Sequence, residues 1–183
     1  MLFLVVGCGR QVALLSNLPD SSLSASNQLD SVPRSRLHTT SGATGTLPGA
    51  WTADVITGED IWIQADLVYE MTLEKVATQG QPDVDEWVMT YSLRVGNEET
   101  SLSDVIDASG SVRVFSGNVN RSSVVENLFE GVRAKFVRLH VLTYHEAPSL
   151  RWEVYGCFRG TLFNLSYKAR FLNLFKYNFI IRL

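Results

Sequence analysis

Cysteine is nearly absent from this chain: Cys8 and Cys157 are the only two among 183 residues, standing near the two ends of one long stretch with strand character. Two thiols so far apart cannot form a local zinc knuckle, and His38, His140 and His145 show no metal-ligand spacing. There is no run of about 20 apolar residues, which excludes an ordinary transmembrane helix. No G-x-S-x-G elbow, P-loop or G-x-G-x-x-G follows a strand, so the motifs of hydrolases, nucleotide triphosphatases and dinucleotide-binding enzymes are missing. Carboxylates are plentiful, yet no two are marked as the facing pair that glycoside hydrolysis needs. These absences point to a binding module rather than an enzyme.

Acidic residues are themselves missing from one region. Beyond Cys157 lie five of the sixteen basic residues (Arg159, Lys168, Arg170, Lys176, Arg182) and none of the nineteen acidic ones. Residues 1–157 therefore carry eleven basic against nineteen acidic side chains, a net of −8 beneath the overall −3. A body that acidic is a poor partner for nucleic acid or an anionic membrane surface. In residues 158–183, Phe163, Tyr167, Phe171 and Phe175 recur every four positions, the period of one helical face. The segment reads as a tail outside the domain, either a non-native extension or a basic amphipathic helix. At the other end, Leu2-Phe3-Leu4-Val5-Val6 is short for a secretory h-region, lacks a basic n-region and reaches Cys8 without an evident cleavage site. Residues 1–7 read as a signal or linker remnant, with residues 8–157 as the domain.

What is present is β-chemistry. Residues 16–50 are rich in Ser, Asn, Asp, Thr, Gly and Pro, and within them only Leu23-Ser24-Ala25-Ser26 and Arg36-Leu37 look ordered. From Trp51 onward short alternating runs take over. Ile61, Ile63, Ala65 and Leu67 share one face, with Trp62, Gln64 and Asp66 on the other. Further strands are expected over 73–78, 87–95, 112–115, 124–129, 135–144 and 150–155. Turn signals at Gly80, Gly96-Asn97, Gly110, Gly117-Asn118, Gly131 and Pro148 fall at sandwich spacing. No helix is expected before residue 160, and the fold class is all-β. Asp83, Asp85 and Glu86 read as a solvated acidic tip, as do Asp104 and Asp107, while His140 and His145 read as satisfied structural histidines.

A cysteine pair so placed reads as a clasp joining the first and last strands; the alternative is two unrelated buried thiols. Bridging a loop of about 150 residues is worth roughly 5 kcal/mol in the chain-entropy account. Disulfides persist in oxidising compartments, which places the protein outside the cytosol. Asn120-Arg121-Ser122 and Asn164-Leu165-Ser166 fit the N-glycosylation sequon and agree with secretion.

Several short motifs in order complete the picture: Gly49-Ala50-Trp51, Trp62-Ile63-Gln64-Ala65-Asp66-Leu67, Val76-Ala77-Thr78-Gln79-Gly80 and Trp87-Val88-Met89-Thr90-Tyr91-Ser92-Leu93. Phe115-Ser116-Gly117-Asn118, Val125-Glu126-Asn127-Leu128-Phe129, Ala134 to Leu139 and Leu150 to Cys157 follow. With Leu23 to Ser26 and Arg34 to Leu37 upstream, the series resembles the discoidin domain, also called the coagulation factor V/VIII type C domain. The resemblance implies a jelly-roll β-sandwich, a member of the galactose-binding-like folds, closed by a bridge between its first and last cysteines. It gives Trp62, Trp87 and Tyr91 core or under-loop packing roles. Arg138 and Arg151 become partners for buried polar groups such as Asp66, with Glu153 joining them.

The resemblance also implies that function sits in three spike loops at one end, matching residues 27–33, 38–48 and 81–86. The ligand-binding candidates are Leu29, Asp30, Val32 and Arg34 at the first, Leu47 at the second, and Asp83, Val84 and Asp85 at the third, joined by Thr52 and Asp54. Clotting-factor members insert apolar spike residues into phosphatidylserine membranes, but the acidic third loop here would meet an anionic surface with repulsion. Neuropilin members hold a C-terminal arginine; Thr52 and Asp54 (or Asp60) match part of that pocket, while the third loop lacks its Ser or Thr. Lectin members bind galactose or fucose, and Gln79, Asp54, Asp83 and Arg34 are the matching polar groups. No cofactor is implied; the acidic loops offer calcium carboxylates, but without ordered ligand spacing. The expectation is a secreted or cell-surface adhesion module for a glycan or a matrix or cell-surface protein. The alternatives are a peripheral phospholipid binder and a carbohydrate-targeting module of a larger secreted enzyme.

Overall fold

The alternation around residue 63 builds a strand because its apolar set can be buried on one side: Ile63, Ala65 and Leu67 are all in the core. The computed structural model describes residues 8, 10–42 and 47–158. The readings of residues 1–7, of the tail beyond Phe158 with its sequon at Asn164, and of the middle of the second spike lie outside the described residues. Among the described residues nine strands follow in chain order: β1 (Val12–Ala13), β2 (Leu23–Ala25), β3 (Trp51–Thr52), β4 (Trp62–Gln79), β5 (Trp87–Gly96), β6 (Ser103–Asp104), β7 (Phe115–Ser116), β8 (Val125–His145) and β9 (Ser149–Cys157). All pairings between them are antiparallel.

The ladder runs β1-β9-β4-β8-β5-β6, with β2 on β4, β3 on β9 and β7 on β5. It folds over on itself because β4 and β8 each serve two layers. Trp62 to Asp66 pair with Phe136 to His140, and that half of the ladder continues through β5. Met71 to Thr78 pair with the first half of β8 and with β9. The result is an all-β jelly-roll sandwich. The expected strands 61–67 and 73–78 are thus one continuous strand, as are 124–129 and 135–144. The register shifts between Asp66 and Met71, where Val68 takes a left-handed φ of 67°. Its N–H donates to Asp66 Oδ1 at 2.7 Å, a local bond that turns the chain.

Trp51, Trp152, Tyr91, Phe115 and Leu139 are among the fully buried side chains. Burial raises the Tyr91 hydroxyl above its ordinary pKa, partly offset by Asn127, whose Nδ2 donates to it at 3.1 Å. Trp62 and Trp87 are only half-buried: Trp62 carries the Arg138 guanidinium 4.2 Å from its ring centre, and Trp87 stacks on His145 at 4.2 Å.

Several other expectations change. Three short 3-10 turns stand where no helix was expected, over Leu15–Asn17, Asp20–Ser22 and Leu29–Ser35. Their clusters of Ser, Asn, Asp and Pro favour local turns. Of the strand expected over 112–115, only Phe115 lies in one; Val112 makes an isolated bridge to Ile106. Asp104 is not a free acidic tip, because Arg94 Nε meets it at 2.9 Å across the β5–β6 pair. His140 lies within β8 with its Nε2 buried and unpartnered, so it is not satisfied; burial, foremost, and the neighbouring Arg94 lower its pKa.

The buried polar groups also choose other partners. Asp66 faces Lys135 at 3.6 Å, not Arg138 or Arg151. Arg138 Nε donates to Gln64 Oε1 at 2.8 Å. Glu153 accepts the backbone N–H groups of Leu14, Leu15 and Ser16 at 3.0, 2.6 and 3.0 Å, pinning the first 3-10 turn to β9. The Cys8–Cys157 disulfide joins Cα atoms 5.7 Å apart. Cys157 lies opposite Thr72 in the ladder while Arg151 lies opposite Gln79, which leads into residues 81–86. The clasp therefore closes the end of the sandwich away from the expected spikes.

Candidate functional site

The first spike begins at Gln28, left-handed at φ 53°, and winds into the turn Leu29–Ser35. Its apolar residues fall in two environments. Leu29 stands 63% exposed at the tip, whereas Val32 turns inward and is 2% exposed. Val32 is therefore a core residue and not a ligand contact: it joins the hydrophobic core, while Leu29, at the start of the turn, stays clear of it. Asp30 is exposed beside Leu29. Asp54 locks onto the same spike, its N–H donating to Asn27 Oδ1 at 2.9 Å and its Oδ2 accepting from Gln28 Nε2 at 2.6 Å. The buried Trp51 indole adds a bond to the Asn27 carbonyl at 3.1 Å. This brings Val55 and Ile56, 59% and 44% exposed, next to the first spike. That apolar pair was missed in the sequence, although the following Thr57-Gly58 turn signal marked it as a loop tip.

Arg34 is a brace rather than an outward cation. Its Nε donates to the Pro48 carbonyl at 2.9 Å and its Nη2 to the Thr40 carbonyl, holding both limbs of the second spike. Leu47, near the end of that spike, is 54% exposed. The second and third spikes touch where Gly49 meets Pro82: a Cβ on residue 49 would lie 2.1 Å from Pro82 Cγ. Ser41 Oγ also donates to Asp83 Oδ2.

The third spike closes through Gln81 N–H to the Glu86 carbonyl at 2.9 Å, leaving Val84 46% exposed and Asp83 and Asp85 at the surface. Ser149 Oγ donates to Glu86 Oε2 at 2.6 Å and lies 2.6 Å from Thr52 Oγ1. Thr52 is thereby held half-buried at the base of the site. Against the third spike leans a fourth segment, residues 117–124, which the sequence marked as a turn with a glycosylation sequon but not as part of the spike end. Arg121 donates from Nη1 to the Asp83 carbonyl at 3.1 Å, and its Nε lies 3.7 Å from Asp85. Asn118, 1% exposed, anchors this shoulder through Nδ2 to the carbonyls of Ser123 at 2.7 Å and Thr78 at 3.3 Å.

One side chain ties these loops together. Arg151, 4% exposed on β9, donates to the carbonyls of Gly80 at 2.7 Å, Thr39 at 2.8 Å and Arg121 at 3.1 Å. Those carbonyls belong to the third spike's root, the second spike and the shoulder. Burial lowers the Arg151 pKa, opposed by Asp83, and an arginine so held stays charged. Gln79 adds a second tie, with Oε1 accepting the His38 N–H at 3.0 Å and Nε2 donating to the Ser122 carbonyl at 2.9 Å. Among the described residues no three His, Cys, Asp or Glu side chains converge as a metal site, and no helix is long and apolar enough to cross a membrane. What the arrangement offers is a rim of carboxylates with exposed aliphatic tips on neighbouring loops.

A family model described as F5/8 type C domain matches residues 19–154. Retinoschisin of Mus musculus is 37% identical over 99 residues, covering 52% of this chain and 44% of that protein. Lactadherin of Mus musculus is 30% identical over 162 residues, covering 82% of this chain and 34% of that protein. The solved structure of discoidin II from Dictyostelium discoideum superposes with a TM-score of 0.72 at 25% identity, covering 85% of this chain and 62% of that one. The chain thus spans less than half the length of these two curated relatives.

Proposed function

The chain belongs to the F5/8 type C, or discoidin, family, and from that premise we propose that it is a non-catalytic, extracellular binding module whose spike end recognises a glycan or a matrix or cell-surface protein. Its relatives retinoschisin and lactadherin are secreted or extracellular proteins, and the family is one of binding modules. The observation that carries the reading is the Arg151 tie: one buried guanidinium fixes three loops, so the rim is organised before any ligand arrives. Asp54, Asp83 and Asp85 on that rim are acceptors for sugar hydroxyls or for basic protein groups. Leu29, Leu47 and Val84 supply small apolar contacts beside them.

A glycan array and a panel of matrix proteins test this, with wild type compared to an Asp83→Asn/Asp85→Asn variant. Binding weakened about tenfold or more by the variant, a loss of roughly 1.4 kcal/mol, supports the reading. Absence of binding throughout, or binding indifferent to the variant, counts against it. The second reading is a phospholipid surface, favoured by the clustering of Leu29, Leu47, Val55, Ile56 and Val84 at one end. It stands second because the acidic third spike opposes an anionic surface. Liposome sedimentation separates the two: preference for phosphatidylserine vesicles over neutral ones favours lipid.

A further inference from the structure

We propose that Asn120 carries an N-linked glycan, and that this glycan stands beside the third spike and restricts the approach of large partners to it while leaving Asp83 and Asp85 open to small ones. The Asn120-Arg121-Ser122 sequon by itself decides little, since chance matches are common. Its setting decides more. Asn120 Oδ1 accepts the backbone N–H groups of Ser122 at 3.0 Å and Ser123 at 2.8 Å, and Nδ2 donates to Ser123 Oγ at 3.0 Å, in a surface loop where Asn120 is half-buried and Ser122 and Ser123 are exposed. That contact uses one of the two Nδ2 hydrogens, so the other can be replaced without losing it. The residue just before, Val119, is 81% exposed. The Cys8–Cys157 bridge places the chain in an oxidising, secretory compartment where the modification is made.

The chemistry is a glycosyl transfer from a polyprenyl-pyrophosphate-linked oligosaccharide. A bond forms between Asn120 Nδ2 and the anomeric carbon, the anomeric C–O bond to pyrophosphate breaks, and the pyrophosphate leaves with that electron pair. One Nδ2 proton is released and no redox partner is needed. The position then follows from contacts already described. Arg121, the next residue, grips Asp83 and Asp85, and the Gly80 backbone lies so close that a Cβ there would meet Arg121 Cα at 2.9 Å. A sugar chain on Asn120 rises one residue from the third spike.

The test uses the full chain secreted from eukaryotic cells. Intact mass and peptide mapping of wild type are expected to show an oligosaccharide at Asn120 that Ser122→Ala removes and Ser122→Thr keeps. Ser122 enters the loop's bonds through its backbone, so Ser122→Ala leaves the turn intact. Translation with microsomes gives the same occupancy as a gel shift if secretion is poor. A peptidase cutting after Asp and Glu then reads the screen: cleavage at Asp83 or Asp85 is expected to be about threefold or more slower in the glycosylated protein than in Ser122→Ala. An unmodified Asn120 in folded, secreted protein overturns the site, and equal cleavage of the two forms overturns the screen. Neither readout needs the module's ligand, so failure here is distinct from failure of the binding reading.

Discussion

Arg151 ties together more of the spike end than any exposed residue does. Each of its three accepting carbonyls sits in a different loop. Truncation to Met keeps much of the apolar stem but strands three buried carbonyls, a cost on the order of 3 kcal/mol. Arg151→Met is therefore expected to lower the urea midpoint and to speed amide exchange together in residues 39–41, 80–86 and 118–123. Exchange confined to one of the three segments would show that the loops are held independently. The family resemblance made Arg151 a structural arginine partnering buried polar groups such as Asp66; it is structural, but Asp66 is not its partner. Its partners were not legible, because backbone carbonyls of distant loops leave no signature in a residue pattern. Val32 went astray for a related reason: its apolar character suits a spike tip and a core equally, and only its packing in the folded domain decides. Leu29, Leu47 and Val84 carry the same ambiguity and stand exposed.

Among the elements, the long strand β4 turns its corner without the usual glycine. Alternation ends near Leu67 and resumes near Leu73, so the sequence shows two strands with an unexplained gap. The gap is a corner in one strand, and Val68 occupies it in a left-handed conformation that suits a β-branched residue poorly. Glycine would remove the strain but loosen the unfolded chain as well. Asparagine tolerates the left-handed region with less entropy to lose. Val68 is 38% exposed, so little burial is forfeited. Val68→Asn is expected to stabilise the protein by about 0.5–1 kcal/mol, read as a higher denaturant midpoint with unchanged slope. A lower midpoint would mean that Val68 packs more than it strains. Strand faces and loop positions were legible because period-two alternation and Gly, Pro, Asn and Asp clusters are local signals. The shoulder at 117–124 was not, since its importance comes from leaning on a loop some 35 residues earlier in the chain.

At the scale of the whole molecule, the clasp and the site lie at opposite ends of the sandwich. The bridge closes 149 residues, and in the chain-entropy account a loop of that size is worth roughly 5 kcal/mol. Domains of this size have total stabilities of about 5–15 kcal/mol, so the bridge supplies a large share. It does not act alone at the N-terminus, because Glu153 holds Leu14, Leu15 and Ser16, and Glu74 accepts the Cys8 N–H at 2.7 Å. Those bonds survive reduction in the native state, so the loss falls on the unfolded chain, which regains its freedom. Reduction, or a Cys8→Ser/Cys157→Ser variant, is then expected to lower the melting temperature by roughly 10–20 °C. The spike end, far from Thr72 and Cys157, should keep its amide exchange pattern under native conditions until global unfolding takes over. An unchanged melting temperature in reductant would remove the clasp from the stability of the fold. Selective loosening of residues 80–86 on reduction would instead mean that the two ends are coupled through β4 and β9, the strands that run from one to the other.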